Sequence, residues 1–319
     1  MKLTVLLLLL VLMAAGLGAC VHSAVYTDRV ENRWPPIGEQ VDVNGVPVHV
    51  IKAGMDGPVV LMIHGASANA REFTFTLAPR LSENHQVLMA DRPGHGYSGR
   101  PEDGEELGVQ AAQMAGALRA LAPDQQAVVV GHSYGGSVAL RLALDHPELV
   151  KGLVLLAPTT HDWGGGGIAW YNGLAGPPVL GPAFSQFAPI AGPGAVKSGI
   201  DSVFDPNDAP ENYYENSGLG LLFRPPEFRA NAKDMNALRE ELAAQQDRYP
   251  ELDMPVILFS GAQDTVIDPK LHAGKIKHQV GDFTLVPLAD SGHMPHHDNG
   301  AEVADAIRNL AAREGDQSS

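Results

Sequence analysis

Cysteine is almost absent: Cys20 is the only one in 319 residues. No intrachain disulfide is available, so a buried core must hold the fold. Basic residues are also few, 22 Lys and Arg against 37 Asp and Glu, for a net charge of -15. That balance excludes nucleic acid as an expected partner, because such binding rests on neutralising phosphates. The longest apolar run, at the N-terminus, gives way to small residues at about Leu17, short of the roughly 20 residues a spanning helix needs. There is no internal repeat and no low-complexity tract. Metal-site spacing is missing too: His296 and His297 are adjacent, have no third ligand nearby in sequence, and read as surface or capping residues. No metal and no cofactor is expected.

What is present begins with "MKLTVLLLLLVLMAAGLGAC": one positive residue, an apolar stretch, then small residues. This is the layout of a secretory signal peptide over 1–19. Its end, Leu17-Gly18-Ala19-Cys20, resembles a bacterial lipobox, which implies lipidation of Cys20. An uncleaved membrane anchor is the alternative. Residues 20–38 show no clear periodicity and read as a tether. The expected product is an envelope lipoprotein held on a membrane by Cys20, with its body outside the cytoplasm.

From residue 39 the pattern changes. Apolar and polar residues alternate around Asn44-Gly45, a hairpin signal. Apolar runs at 58–63, 86–90, 127–130, 153–157, 255–260 and 283–288 read as buried strands. Helix-like segments lie at about 71–82, 106–122, 134–146 and 299–313. Strands alternating with helices predict an α/β fold: a mostly parallel sheet covered by helices on both faces. One interval breaks the rhythm. Between the strands at 153–157 and 255–260 the chain is Gly- and Pro-rich, then helical, and holds eleven of the nineteen aromatics. The expected division is therefore core 39–160, cap or lid 161–250, core 251–314. The cap's Arg224, Arg229 and Lys233 read as solvating a helix, with contact to an anionic substrate as the alternative.

The chemistry points to "GHSYGG", residues 131–136. Gly131-His132-Ser133-Tyr134-Gly135 fits G-x-S-x-G between a strand and a helix, the context of a nucleophile elbow. The glycines suggest a backbone that only glycine adopts, and they let the chain turn sharply without side-chain clashes, holding Ser133 exposed at the tip. A serine nucleophile needs a base, and the base an orienting acid. Asp264 and His293 each follow a predicted strand, in the order Ser, Asp, His. Asp162, after the strand at 153–157, is the rival acid.

With these residues in hand, the chain resembles the α/β-hydrolase family over about 39–313. The resemblance implies an oxyanion hole built by the N–H groups of Ala66, after His64-Gly65, and Tyr134. It also implies that "DRPGHGYSGRP" (91–101) is structural, with His95 and Ser98 in its hydrogen bonding. The expected function is hydrolysis of an apolar or aromatic carboxylic ester, a small molecule, through an acyl-enzyme. Two other readings stand beside it: a C–C bond hydrolase or perhydrolase/haloperoxidase-type enzyme with the same triad, and a non-catalytic envelope lipoprotein that binds a hydrophobic ligand.

Overall fold

The computed structural model describes residues 2–313, without the side chains of Leu3, Leu8, Leu9, Val11 and Leu12. Residue 314, the expected end of the core, lies outside them. Eight strands form one sheet: β1 (Glu39–Val43), β2 (Val46–Ala53), β3 (Val59–Ile63), β4 (Gln86–Ala90), β5 (Ala127–His132), β6 (Val150–Leu156), β7 (Val256–Gly261) and β8 (Phe283–Leu288). Their order is β1-β2-β4-β3-β5-β6-β7-β8. The β1–β2 hairpin and the β2–β4 pair are antiparallel; every other pair is parallel. Asn44 and Gly45 both take positive φ, 56° and 82°, as the tight hairpin turn demands.

β3 and β5 are buried at every position, which explains their unbroken apolar runs. Two hydrophobic layers flank the sheet. One is built from helices Leu107–Leu121 and Tyr134–Asp145. The other holds Phe73, Leu77 and the inner face of helix Gly300–Ala312. The helix expected at 71–82 is instead a 3-10 turn, Ala70–Phe73, and a separate four-residue helix, Ala78–Leu81. Pro79 lies in the first turn of the second piece, where its missing N–H is harmless, and a proline disfavours helix in the residue before it.

The interval between β6 and β7 folds as short helices closed by a long one, Pro225–Gln245, over the C-terminal ends of the strands. A buried charge cluster joins this cap helix to the loop after β4. Asp234 accepts hydrogen bonds from Arg92 and Arg100, each at 2.8 Å, and its Oδ2 lies 3.0 Å from His95 Nε2. Burial alone would raise the Asp234 pKa; hydrogen bonding to His95 and the two guanidinium groups hold it well below the usual carboxylate range.

The N-terminal segment departs most from expectation. Lys2–Arg33 is one continuous helix, so residues 20–33, read from the sequence as an irregular tether, are helical. Ala19, Ser23, Val30 and Trp34 are buried at intervals of four, seven and four residues, one face of a helix. That face lies on the cap, where Trp34 and Val30 pack with Leu221. Trp34 Nε1 donates to the Glu215 carbonyl at 2.8 Å. Small residues such as Ala19 and Ser23 mark a contact face weakly, so the periodicity is hard to see in sequence. Among the described residues no helix is long and apolar enough to cross a membrane.

Candidate active site

β5 delivers Ser133 to the start of helix Tyr134–Asp145, and the strain sits on the serine itself. Ser133 has φ 50° and ψ -117°, a region sparsely used outside glycine. Three backbone hydrogen bonds hold it: its N–H donates to Leu156, and its carbonyl accepts from Gly136 and Thr159. Of the two purposes expected of the flanking glycines, the steric one is observed and the dihedral one is not. Neither has positive φ; both allow close packing. A Cβ on Gly131 would lie 2.5 Å from the Gly135 carbonyl oxygen, and one on Gly135 would lie 2.2 Å from that of Ile63.

Asp264 and His293 meet. His293 Nδ1 lies 2.8 Å from Asp264 Oδ2, with both side chains almost fully buried. The other carboxylate oxygen, Oδ1, accepts the N–H groups of Val266 at 2.8 Å and Ile267 at 2.9 Å. The acid is thus fixed by the loop after β7 while it orients a histidine from the loop after β8. His132 Nε2 donates to the His293 carbonyl at 2.9 Å, steadying that loop from the elbow side. Ser133, His293, Ala66 and Tyr134 line one cavity of about 880 Å³. Asp162 is elsewhere: its Oδ1 accepts from Gly164 N–H and lies 3.8 Å from Arg239 Nε.

Several residues take places the sequence reading did not give them. His296 is buried, not superficial, and His297 is largely so; both imidazoles reach the buried carboxylate of Glu72. Arg224 is buried rather than solvated. It pairs with Glu227 and with Glu31 of the N-terminal helix, and stacks 5.0 Å from the Tyr97 ring centroid. Lys233 pairs with Glu105 at 2.6 Å, and Arg229 is partly buried. His95 and Ser98 do enter structural hydrogen bonds. His95 meets Asp234, and the Ser98 hydroxyl donates to the Asp91 carbonyl while accepting from His49 N–H.

Two supports were not legible in the sequence. Asn231, from the cap helix, accepts the Ser67 N–H at 2.7 Å and so anchors the loop that carries Ala66. His272 Nδ1 accepts from Thr160 and His161 N–H groups at 3.0 and 3.2 Å. Burial, with His161 beside it, lowers the His272 pKa to about 4, so it stays neutral and available as an acceptor. Both pairings join residues more than a hundred positions apart.

The cavity wall is mostly apolar. The cap contributes Trp170, Tyr171, Phe184, Phe187, Phe223 and Phe228. Glu72 also reaches the wall, and with His296 and His297 it is the only group of metal-ligating side chains found among the described residues.

A family model described as "Alpha/beta hydrolase family" matches residues 60–306. The magnesium-chelatase 30 kDa subunit of Rhodobacter capsulatus is 29% identical over 252 residues, 76% of this chain and 82% of that protein. Among solved structures, an esterase from Exiguobacterium antarcticum superposes with a TM-score of 0.67 at 21% identity, over 86% of this chain and all of that one. A bacterial membrane phospholipase A gives a TM-score of 0.68 at 23% identity and spans 97% of this chain and 98% of its own. The order and direction of the strands, the elbow and the matched span agree: the chain belongs to the alpha/beta hydrolase family and is an enzyme of the hydrolase type.

Proposed function

We propose that this hydrolase cleaves carboxylic esters with apolar acyl or alkyl groups, through an acyl-enzyme on Ser133, at a membrane surface. One observation carries the reading: a strained serine and an Asp-oriented histidine open into a large cavity walled by cap aromatics. At about 880 Å³ it stands near the upper end of ligand pockets, roughly 300–1,000 Å³.

In the mechanism, Ser133 Oγ attacks the ester carbonyl while His293 Nε2 takes its proton. Asp264 keeps the imidazole proton on Nδ1 and stabilises the imidazolium. The N–H groups of Ala66 and Tyr134 receive the developing oxyanion; among the described residues no other hydrogen-bond acceptor engages either. Tyr134 opens a helix, whose N-terminal dipole favours the same charge. His293 then returns its proton to the leaving alkoxide. A water deprotonated by His293 attacks the acyl group, and the acid departs.

The membrane part of the reading rests on Cys20, which is exposed, and on the exposed apolar residues of the N-terminal helix. A diacylglyceryl cysteine carries two acyl chains, enough for stable anchoring where one is marginal. Cleavage before Cys20 would remove Ala19 and keep Ser23, Val30 and Trp34 of the buried face. The membrane phospholipase A, which matches across this segment as well, supports an ester drawn from a lipid phase.

A fluorophosphonate should label the full chain and fail on Ser133→Ala, and p-nitrophenyl esters of increasing acyl length should be hydrolysed. Labelling without ester turnover, together with cleavage of a 1,3-diketone, would replace the ester reading with C–C hydrolysis. Mass spectrometry of the mature N-terminus tests the anchor: an unmodified Cys20 or an intact Met1 overturns it and leaves the hydrolase untouched.

A further inference from the structure

Below the cavity lies a cluster that ester hydrolysis does not use. Glu72, 1% exposed, ends its side chain where two histidines meet it. Its Oε1 lies 2.6 Å from His297 Nε2 and 3.2 Å from His296 Nε2, while its Oε2 accepts from the Tyr213 hydroxyl at 2.7 Å. The three ligand atoms fall within 4.8 Å of one another. Local geometry does not dictate this meeting. His296 and His297 are consecutive in the one-turn helix Pro295–Asp298, where neighbours project about 100° apart. Tertiary packing bends both to one oxygen. Their remaining nitrogens, both Nδ1 atoms, are buried and have no partner.

We propose that Glu72, His296 and His297 form a binding site for one divalent transition-metal ion of the zinc type, held by Glu72 Oε1 and the two Nε2 atoms. The donor set is two imidazoles and one carboxylate, which suits Zn²⁺ and its imidazole-seeking neighbours; Ca²⁺ and Mg²⁺ prefer all-oxygen shells. The spacing is close to what is needed. Bonds of about 2.0–2.1 Å in a tetrahedron put ligands roughly 3.3 Å apart. The Glu72–His296 separation already fits; the Glu72–His297 pair has to open by well under 1 Å.

The proton balance also works. Each imidazole bonded to the carboxylate carries its proton on Nε2. On metal binding that proton moves to Nδ1 and the Nε2 lone pair goes to the ion, so no proton leaves the site. Tyr213 fixes the second carboxylate oxygen, as outer partners do in metal sites. Phe75 and Phe204 stack beside His297 and keep the surroundings dry. Glu72 lines the cavity, which supplies an entry path.

Such an ion would join three segments that the reaction needs in register. These are the chain after β3, which carries Ala66; the chain after β8, which carries His293; and the cap, which carries Tyr213. It would brace the site without entering the acyl-transfer steps.

The test uses the tag-free full chain in detergent, stripped with a chelator and titrated with Zn²⁺ by calorimetry, and with Co²⁺ by visible absorption. One equivalent should bind, Tm should rise, and Co²⁺ should show the bands of a tetrahedral site. Glu72→Gln and His297→Gln should each weaken binding by about a hundredfold or more, whereas His293→Ala should bind as the parent does. If Glu72→Gln fails to fold, His297→Gln decides, because it leaves Glu72 paired to His296 and Tyr213. Absence of saturable binding, unchanged binding in His297→Gln, or loss of binding in His293→Ala overturns the site.

Discussion

Replacing Gly135 with alanine should damage the oxyanion geometry more than the fold. A Cβ there would stand 2.2 Å from the Ile63 carbonyl oxygen and 2.6 Å from that of His64. Ordinary contact begins near 3.4 Å, so the elbow helix and the end of β3 must part by about 1.2 Å. Ile63 and His64 lead directly to Ala66, and Tyr134 immediately precedes Gly135. The two N–H groups proposed to share the oxyanion therefore separate by a similar distance. Such donors act at about 2.7–3.1 Å, and losing one costs roughly 10²–10³ in kcat. Overpacking by itself costs about 1–3 kcal/mol of stability. With a p-nitrophenyl ester, kcat should fall about a hundredfold or more with KM little changed. Thermal melting followed by circular dichroism should show a loss of several degrees and a native spectrum. Gly173→Ala is the control, since nothing lies within 4 Å of a Cβ at that position. A Gly135→Ala enzyme with kcat within about twofold of the parent would refute the link between this contact and oxyanion stabilisation.

Three further outcomes are expected. Asp264→Asn should lower kcat by about 10⁴ and Asp162→Asn should leave it unchanged, as ester kinetics will show; the reverse result would make Asp162 the orienting acid. Asp234→Asn leaves Arg92 fully buried without its counter-charge, so urea unfolding should report a loss of about 3–5 kcal/mol, and a loss below about 1 would mean the cluster adds nothing. The third concerns acid. Burial, followed by Arg92, lowers the His95 pKa to about 4, and His272 is lowered to about 4 as well. Because these folded values lie below the ordinary 6.5, the unfolded chain takes up protons that the native one refuses. Stability should be full above about pH 6.5 and decline steadily toward pH 4, by a few kcal/mol per histidine. A flat profile across that window, measured by denaturant unfolding at fixed ionic strength, would contradict it.

Elements built on local pattern were read closely. The strand at 86–90 and the strand at 283–288 match their observed bounds, and the helix expected at 106–122 is observed at Leu107–Leu121. The elbow lies between strand and helix as expected, and one of the two reasons expected for its glycines holds. Sequence suggested that glycine was needed for its own dihedrals; the structure puts the positive φ on Ser133 and uses Gly131 and Gly135 for contact. Close approach between distant backbones leaves no trace in a neighbourhood of residues. The helical course of residues 20–33 was missed for a related reason: its contact face is written in Ser23 and Val30, which are only meaningful against a cap some two hundred residues away.

The sequence by itself determined what depends on short-range order. Apolar runs set the strands, Asn44-Gly45 set the hairpin, and the G-x-S-x-G between strand and helix marked Ser133. Asp264 and His293 could be paired as candidates because strand ends in a parallel sheet gather on one side. What required the tertiary structure was every choice made among charged and polar groups. Arg224 was assigned to solvent and is buried against Glu227; Asp162 was a possible acid and faces Arg239 instead. His296 and His297 were without a third partner until the fold brought Glu72 to them across more than two hundred residues. Hydrophobic burial follows a periodicity that a chain carries along its length. Pairing of buried charges follows distance in space, and only the closed fold sets that distance.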